Sequence, residues 1–290
     1  MISLIASDMD GTLLNEKMTV PPENATAIKK AAQKGVKFIV ATGRSYGEAK
    51  PLIEKVGIKA PIIAMNGAQV FDEQGQVIST VSLRKTVVRK IFHLLKTKGL
   101  YFEVMTDKGT ISDSKMRRIQ SVAALLVDLQ TTDSFKIAVS LASARLELMN
   151  ITYVDSYEQL LTDPDMTILK IIAFSAEKQK VLDPIAEELT ALGELAITAS
   201  SASNIEINHI NAQKGVALET YANSLNIPMT QVMAIGDNLN DASMLQAASV
   251  SFAMGNATEE IKQVARYLTA TNVNHGVGQA IQRAISENLS

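Results

Sequence analysis

The chain has no cysteine. Disulfides, thiolate nucleophiles and cysteine–zinc sites are therefore excluded. It also lacks a surplus of either charge, since 28 basic and 30 acidic residues leave a net charge of −2. That balance provides no electrostatic footprint for nucleic acid or for an anionic membrane surface. No apolar run approaches the roughly 18 residues that cross a bilayer. The first apolar segment has no basic leader and is cut by Asp8 and Asp10. The expectation is a soluble, cytoplasmic protein with neither a nucleic-acid nor a membrane partner. Hydrophobic residues make up 47% and charged residues 20%, which sets aside disordered and fibrous classes. At about 150 residues per domain, a chain of 290 favours two domains.

An apolar run at 2–7 reads as a buried strand that stops at Asp8-Met9-Asp10-Gly11-Thr12. A helical pattern follows at 22–34, with Pro22 at its start and Gly35 just past its end. A second strand, 36–40, runs into Ala41-Thr42-Gly43-Arg44-Ser45. A helix at 47–56 and a third strand at 61–65 lead to Asn66-Gly67. This alternation predicts a parallel sheet with helices on its faces. The rhythm returns with a helix at 214–226 and a strand at 231–235, ending at Gly236-Asp237-Asn238-Leu239-Asn240-Asp241. A short helix, a strand at 249–254, a helix at 257–265, a strand at 265–269 and a last helix follow. Asn256 and Glu259 have the spacing of a capping pair for the 257–265 helix.

Residues 83–208 break the pattern. They carry a helix at 86–98, a strand pair across Asp107-Lys108-Gly109, a strand at 168–174, a helix at 180–192 and a strand pair at 195–208. The predicted fold is α/β. A Rossmann-like, doubly wound parallel core (1–82 and 209–290) carries an inserted α+β cap (83–208).

In an open parallel sheet, ligands bind beyond the carboxyl ends of the strands, where the strand order reverses. The unusual polar residues fall there: Asp8 and Asp10, Thr42-Gly43-Arg44, Asn66-Gly67, and Asp237 with Asn240-Asp241. Four aspartates so placed repel one another unless a cation lies among them, and Mg²⁺ takes carboxylate and carbonyl oxygens. Asp8 and Asp237 are the simplest ligand pair. Thr42, the amides around Gly43, and Lys214 at a helix start suit a phosphate. The positive end of the helix dipole disfavours a lysine there, which supports an anionic partner. An acidic metal site beside a phosphate cradle points to phosphoryl transfer, with Asp8 able to act as nucleophile. Strand alternation would put residues 8 and 10 on one side, so that both carboxylates reach one phosphoryl group.

The motifs Asp8-Met9-Asp10-Gly11-Thr12-Leu13-Leu14, Ala41-Thr42-Gly43-Arg44, Lys214-Gly215 and Gly236-Asp237-Asn238-Leu239-Asn240-Asp241 stand in this order. Together they resemble the haloacid dehalogenase superfamily, and within it the Cof-type phosphatases with a large α+β cap. The resemblance implies that Asp8 is the nucleophile and a magnesium ligand. Asp10 would be the general acid and then the base, its backbone carbonyl also binding magnesium. Thr42 and Lys214 would hold the phosphoryl group, with Gly43 and Arg44 on the substrate side. Asp237 would be the second carboxylate on the metal. Asp241 would join the metal site directly or orient Asp237 or Lys214, and Asn240 would contact phosphate. The sequence departs from the common pattern at Asn274-His275, where relatives often carry acidic residues before the Gly-Val pair. The implied enzyme is a Mg²⁺-dependent phosphatase for small phosphorylated metabolites, sugar phosphates first. The cap would set substrate choice. A phosphomutase shares these motifs. A phosphometabolite sensor without chemistry has no need of both Asp8 and Asp10.

Other features carry plainer readings. Asp8 and Asp10 also suit a turn, and Asp237 and Asp241 a helix cap. The twelfth position counted from Asp8 is Thr19, not the glutamate a helix–loop–helix calcium loop requires. Arg44 is balanced between a substrate contact and a surface salt bridge. His93, His209 and His275 lack metal-ligand spacing. The 12 methionines read as core filler. Lys115, Arg117 and Arg118 read as a solvated helix face. Oligomeric state does not follow from the sequence.

Overall fold

The computed structural model describes residues 2–128, 134–146, 151–199 and 201–289. They form two compact units, Met1–Val81 with Asn211–Ser290, and Ser82–Ile210.

In the first unit the chain runs β1 (Leu4–Ser7), α1 (Pro22–Gln33), β2 (Lys37–Ala41), α2 (Tyr46–Glu54), β3 (Ile62–Ala64), β4 (Gln69–Phe71) and β5 (Val77–Thr80). The inserted unit follows, with α3 (Lys85–Thr97), β6 (Tyr101–Thr106), β7 (Gly109–Ser112), α4 (Lys115–Asp128), α5 (Phe135–Leu146), β8 (Ile151–Tyr153) and α6 (Glu158–Thr162). It continues through β9 (Ile168–Phe174), α7 (Gln179–Thr190), β10 (Leu195–Thr198) and β11 (Asn204–His209). The first unit then resumes as α8 (Lys214–Ser224), β12 (Val232–Gly236), α9 (Ala242–Ala247), β13 (Val250–Ala253), α10 (Glu259–Val264), β14 (Tyr267–Leu268) and α11 (Gly276–Ser286).

The core sheet has the order β14-β13-β12-β1-β2-β3-β4-β5. All pairings from β14 to β3 are parallel, and β4 and β5 add an antiparallel edge. The central strands are buried along their whole length because both faces of a parallel sheet are covered. That is why they read as continuous apolar runs. The winding reverses between β1 and β12, which places the switch point at their carboxyl ends. Register matters here. Ser7 pairs with Val40 on one side and Ile235 on the other, so residues 8, 41 and 236 emerge at one level.

The inserted unit is a six-stranded sheet, β10-β11-β9-β6-β7-β8, with its own core. Val88, Ile91, Phe92 and Leu95 of α3 and Leu182, Ile185 and Leu189 of α7 supply apolar faces at helical spacing. These pack with Phe102, Val104, Ile171, Ala173, Ile205 and Ile207 of the sheet. Among the described residues, no helix is long and apolar enough to cross a membrane.

Three expectations change. Asn256 does not cap the 257–265 helix. Its amide donates to the Gly11 carbonyl and its oxygen accepts from Asn272 N–H, while α10 starts one residue after Thr258. The β4–β5 hairpin has no counterpart in the sequence reading. The basic face of α4 is not wholly solvated. Arg118 is 12% exposed and pairs at 2.9 Å with Glu103, itself 2% exposed, because a buried carboxylate requires a partner.

Candidate active site

The chain leaves β1 at Ser7 and enters a wide turn over Met9–Leu13. Inside it Gly11 has φ +76°, a left-handed conformation open to glycine at little cost. A Cβ at Gly11 would also collide with the Asp237 carboxylate. Glycine is thus required twice over, by conformation and by space. The turn fixes Thr12, whose hydroxyl donates to Asp237 Oδ1 at 2.6 Å.

Because the strand stops at residue 7, alternation no longer governs positions 8 and 10. Asp8 is buried and points at Lys214, whose ammonium is 2.6 Å from Asp8 Oδ1. Asp10 lies half-exposed and turns to Arg44. The guanidinium donates to both of its oxygens, Nε to Oδ2 at 2.7 Å and Nη2 to Oδ1 at 2.6 Å. The expectation that both carboxylates share one side is therefore corrected. In this conformation Asp10 belongs to a bidentate ion pair at the edge of the site.

Lys214 is the first residue of α8 and is fully buried. Its Nζ also contacts Asp241 Oδ1 at 2.6 Å. The misfit with the helix dipole is thus offset by two carboxylates: the Asp241 contact is one of the roles the resemblance implies, and the Asp8 contact adds a counter-charge among the aspartates. Asp241 has a second task. Its Oδ2 accepts from the backbone N–H groups of Asp237 at 2.9 Å and Asn238 at 3.0 Å. With both oxygens so engaged, Asp241 holds the Asp237 loop and the lysine together.

Asp8, Asp237 and Asp241 each offer an oxygen within 4.8 Å of the other two. The Asp10 side chain and all three histidines stand outside this group. The charges strain one another. Burial, then Asp241, raises the Asp8 carboxyl well above its usual range, with Lys214 opposing. Burial pushes Asp237 up to about 6, and the Thr12 hydroxyl works the other way. Burial also acts against a charged Lys214, but Asp241 and Asp8 outweigh it and hold the ammonium above its ordinary range.

The second strand delivers Thr42, fully buried. Its Oγ1 accepts from Arg44 N–H at 3.1 Å, which shapes the loop through Gly43. Beyond β3, Asn66 adopts φ +59°, where asparagine is tolerated better than most residues. Its Oδ1 accepts from the Asn240 amide at 3.1 Å, and its N–H donates to the Thr42 carbonyl at 2.9 Å. Thr12 lies in the first motif and Asn66 among the strand-end polar residues, and neither is among the predicted site residues. Their positions, two after Asp10 and directly after a strand end, were the available signals.

A family model for haloacid dehalogenase-like hydrolases matches residues 5–281. The chain is 32% identical over 286 residues to the phosphatase YwpJ of Bacillus subtilis, covering 98% of this chain and 100% of that protein. It is also 32% identical over 281 residues to the 5-amino-6-(5-phospho-D-ribitylamino)uracil phosphatase YcsE of the same species, covering 97% and 95%. A solved haloacid dehalogenase-like hydrolase from B. subtilis superposes with a TM-score of 0.86 at 31% identity, covering 97% of this chain and 99% of that one. With the strand-end carboxylates, the buried lysine and the inserted unit all in place, the chain belongs to the haloacid dehalogenase-like hydrolases. Within them it is a Cof-type phosphatase, a phosphoric monoester hydrolase.

Proposed function

We propose that this phosphatase hydrolyses small phosphorylated metabolites, sugar phosphates and sugar-alcohol phosphates first, through an aspartyl-phosphate on Asp8 and with Mg²⁺. The observation that carries the reading is the meeting of Asp8, Asp237 and Asp241 around Lys214. Three carboxyl groups against one ammonium leave hard oxygen donors short of positive charge, and a magnesium ion fits that set. Asp8 and Asp237 would hold it, with the Asp10 carbonyl as a further ligand. Bound there, Mg²⁺ would neutralise charge on the phosphoryl oxygens.

The residues divide the work as follows. An Asp8 oxygen attacks phosphorus, and the bond to the leaving oxygen breaks. Asp10 gives that oxygen a proton, then accepts one from the water that attacks the phosphoryl group and frees Asp8. Thr42 and Lys214 hold the transferring group, with Asn240 and the Gly43 loop beside it. Asp241 orients Lys214 and the Asp237 loop. Arg44 keeps Asp10 poised until substrate arrives. The inserted unit selects the leaving group. The relative named for a phosphorylated ribityl compound supports small phosphorylated polyols. We place this work in the cytoplasm.

Chelation tests the metal directly. Protein stripped with EDTA should release no phosphate from an aryl phosphate or a sugar phosphate until Mg²⁺ is restored. Full activity in excess chelator would overturn the reading. Ca²⁺ should substitute poorly, since it prefers more ligands and looser geometry.

A further inference from the structure

The inserted unit carries a half-open cavity of its own, with a volume of about 660 Å³, within the size range of small-molecule pockets. Its floor is aromatic. Tyr101 on β6 and Phe174 on β9 are register partners, and their rings stack with centroids 5.7 Å apart. A buried network fixes that floor. The Tyr101 hydroxyl donates to Glu103 Oε1 at 2.6 Å and lies 2.8 Å from Ser112 Oγ. Glu103 in turn holds Arg118, whose guanidinium lies 5.8 Å from the Phe174 ring centre.

A cation covers the Tyr101 end of that floor. Arg117 on α4 stands 5.6 Å over the Tyr101 ring and donates to the Gly99 carbonyl at 2.6 Å. That bond uses one of five donors. Lys98 lines the same cavity, as do Ser175 and one carboxylate, Glu177, which is exposed and reaches Lys180 at 4.0 Å. The half-buried Phe174 ring, beside a guanidinium that covers Tyr101, suits a flat ring that carries negative charge. Such a ring packs on Phe174 while its charge takes the remaining Arg117 donors. An aliphatic sugar ring would gain little from such a floor.

We propose that the cavity bounded by Tyr101, Phe174 and Arg117 binds a planar ring bearing a negative charge. The shared chemistry has two sources, the leaving group of the phosphoester itself or a separate ligand.

Binding that depends on Arg117 and Phe174, residues outside the phosphoryl site, separates this site from the phosphoryl chemistry, so its failure would be distinct from failure of the aspartyl-phosphate reading. Calorimetric titration of the full chain with naphthalene-2-sulfonate should show saturable binding. Cyclohexanesulfonate, with the same charge and no π-face, should bind about two- to tenfold more weakly. Arg117→Gln should weaken the naphthalene probe about tenfold, the scale of a charge-assisted hydrogen bond. Phe174→Leu, which keeps an apolar side chain, should weaken it severalfold. No binding, equal binding of the two sulfonates, or unchanged affinity in both variants overturns the proposal. Given binding, competitive inhibition of aryl phosphate hydrolysis that Arg117→Gln relieves assigns the pocket to the substrate's own ring. Non-competitive inhibition, or none, assigns it to a separate ligand.

Discussion

Replacing Lys214 with methionine keeps the length of the side chain and removes its charge. The ammonium is fully buried and 2.6 Å from both Asp8 and Asp241. Without it these carboxylates stay buried beside Asp237. Breaking a buried ion pair from one side costs about 3–5 kcal/mol. Burial already raises Asp8, and loss of the ammonium raises it further. A carboxyl whose folded pKa lies above its unfolded value takes up protons on folding. Its contribution to stability is greatest at low pH and falls as pH rises through the folded value. Lys214→Met should therefore lose about 3 kcal/mol or more near pH 8, and clearly less near pH 5. The double variant Lys214→Met with Asp241→Asn should recover part of the loss, because one uncompensated charge is gone. Urea unfolding in EDTA, followed by circular dichroism at both pH values, measures this. A loss below about 1 kcal/mol, or the same loss at both pH values, would refute the picture of a buried cation held between two buried acidic groups. The variant should also lose about 10²–10³ in kcat on every substrate, as expected for one missing electrostatic stabiliser.

Arg44→Ala frees Asp10 from its bidentate partner. It should lower kcat about tenfold or more on alkyl phosphates, whose poor leaving oxygens depend most on a positioned acid, and less on aryl phosphates. Equal losses on both classes in steady-state kinetics would remove Arg44 from the positioning of Asp10. Asp237, raised to about 6 without metal, makes Mg²⁺ compete with a proton. Apparent Mg²⁺ affinity by calorimetry should fall about tenfold from pH 7 to pH 5, and a flat profile would contradict the raised carboxyl. For the same reason the metal-free protein should gain stability from this group as pH falls through about 6.

The core was legible because its strands are buried on both faces and read as unbroken apolar runs, and because their ends carry Asp-x-Asp-Gly-Thr and Gly-Asp-x-x-x-Asp. The edge hairpin was not. Along β5 the residues Val77 to Thr80 are mostly exposed, so no buried face imposes a period of two. In α4, periodicity cannot tell which of Arg117 and Arg118 is drawn to a carboxylate. The answer lies in Glu103, on a strand laid down earlier in the chain. Lys214 shows the same limit. Its helix start was visible, but its partners Asp8 and Asp241 are brought to it by the sheet, from 206 and 27 positions away. The direction of Asp10 is not legible because alternation holds only as far as the last strand residue, Ser7.

The central claim is that Asp8 takes the phosphoryl group and Asp10 moves the protons. Intact-protein mass spectrometry after mixing with an aryl phosphate and Mg²⁺ tests it most directly. An activated leaving group needs little protonation, so Asp10→Asn should still phosphorylate Asp8. The adduct should persist, because the base that activates water is gone. The account predicts one added phosphoryl group on Asp10→Asn and none on Asp8→Asn. The same adduct on both variants, or none on either, would contradict it and favour direct attack by a metal-activated water.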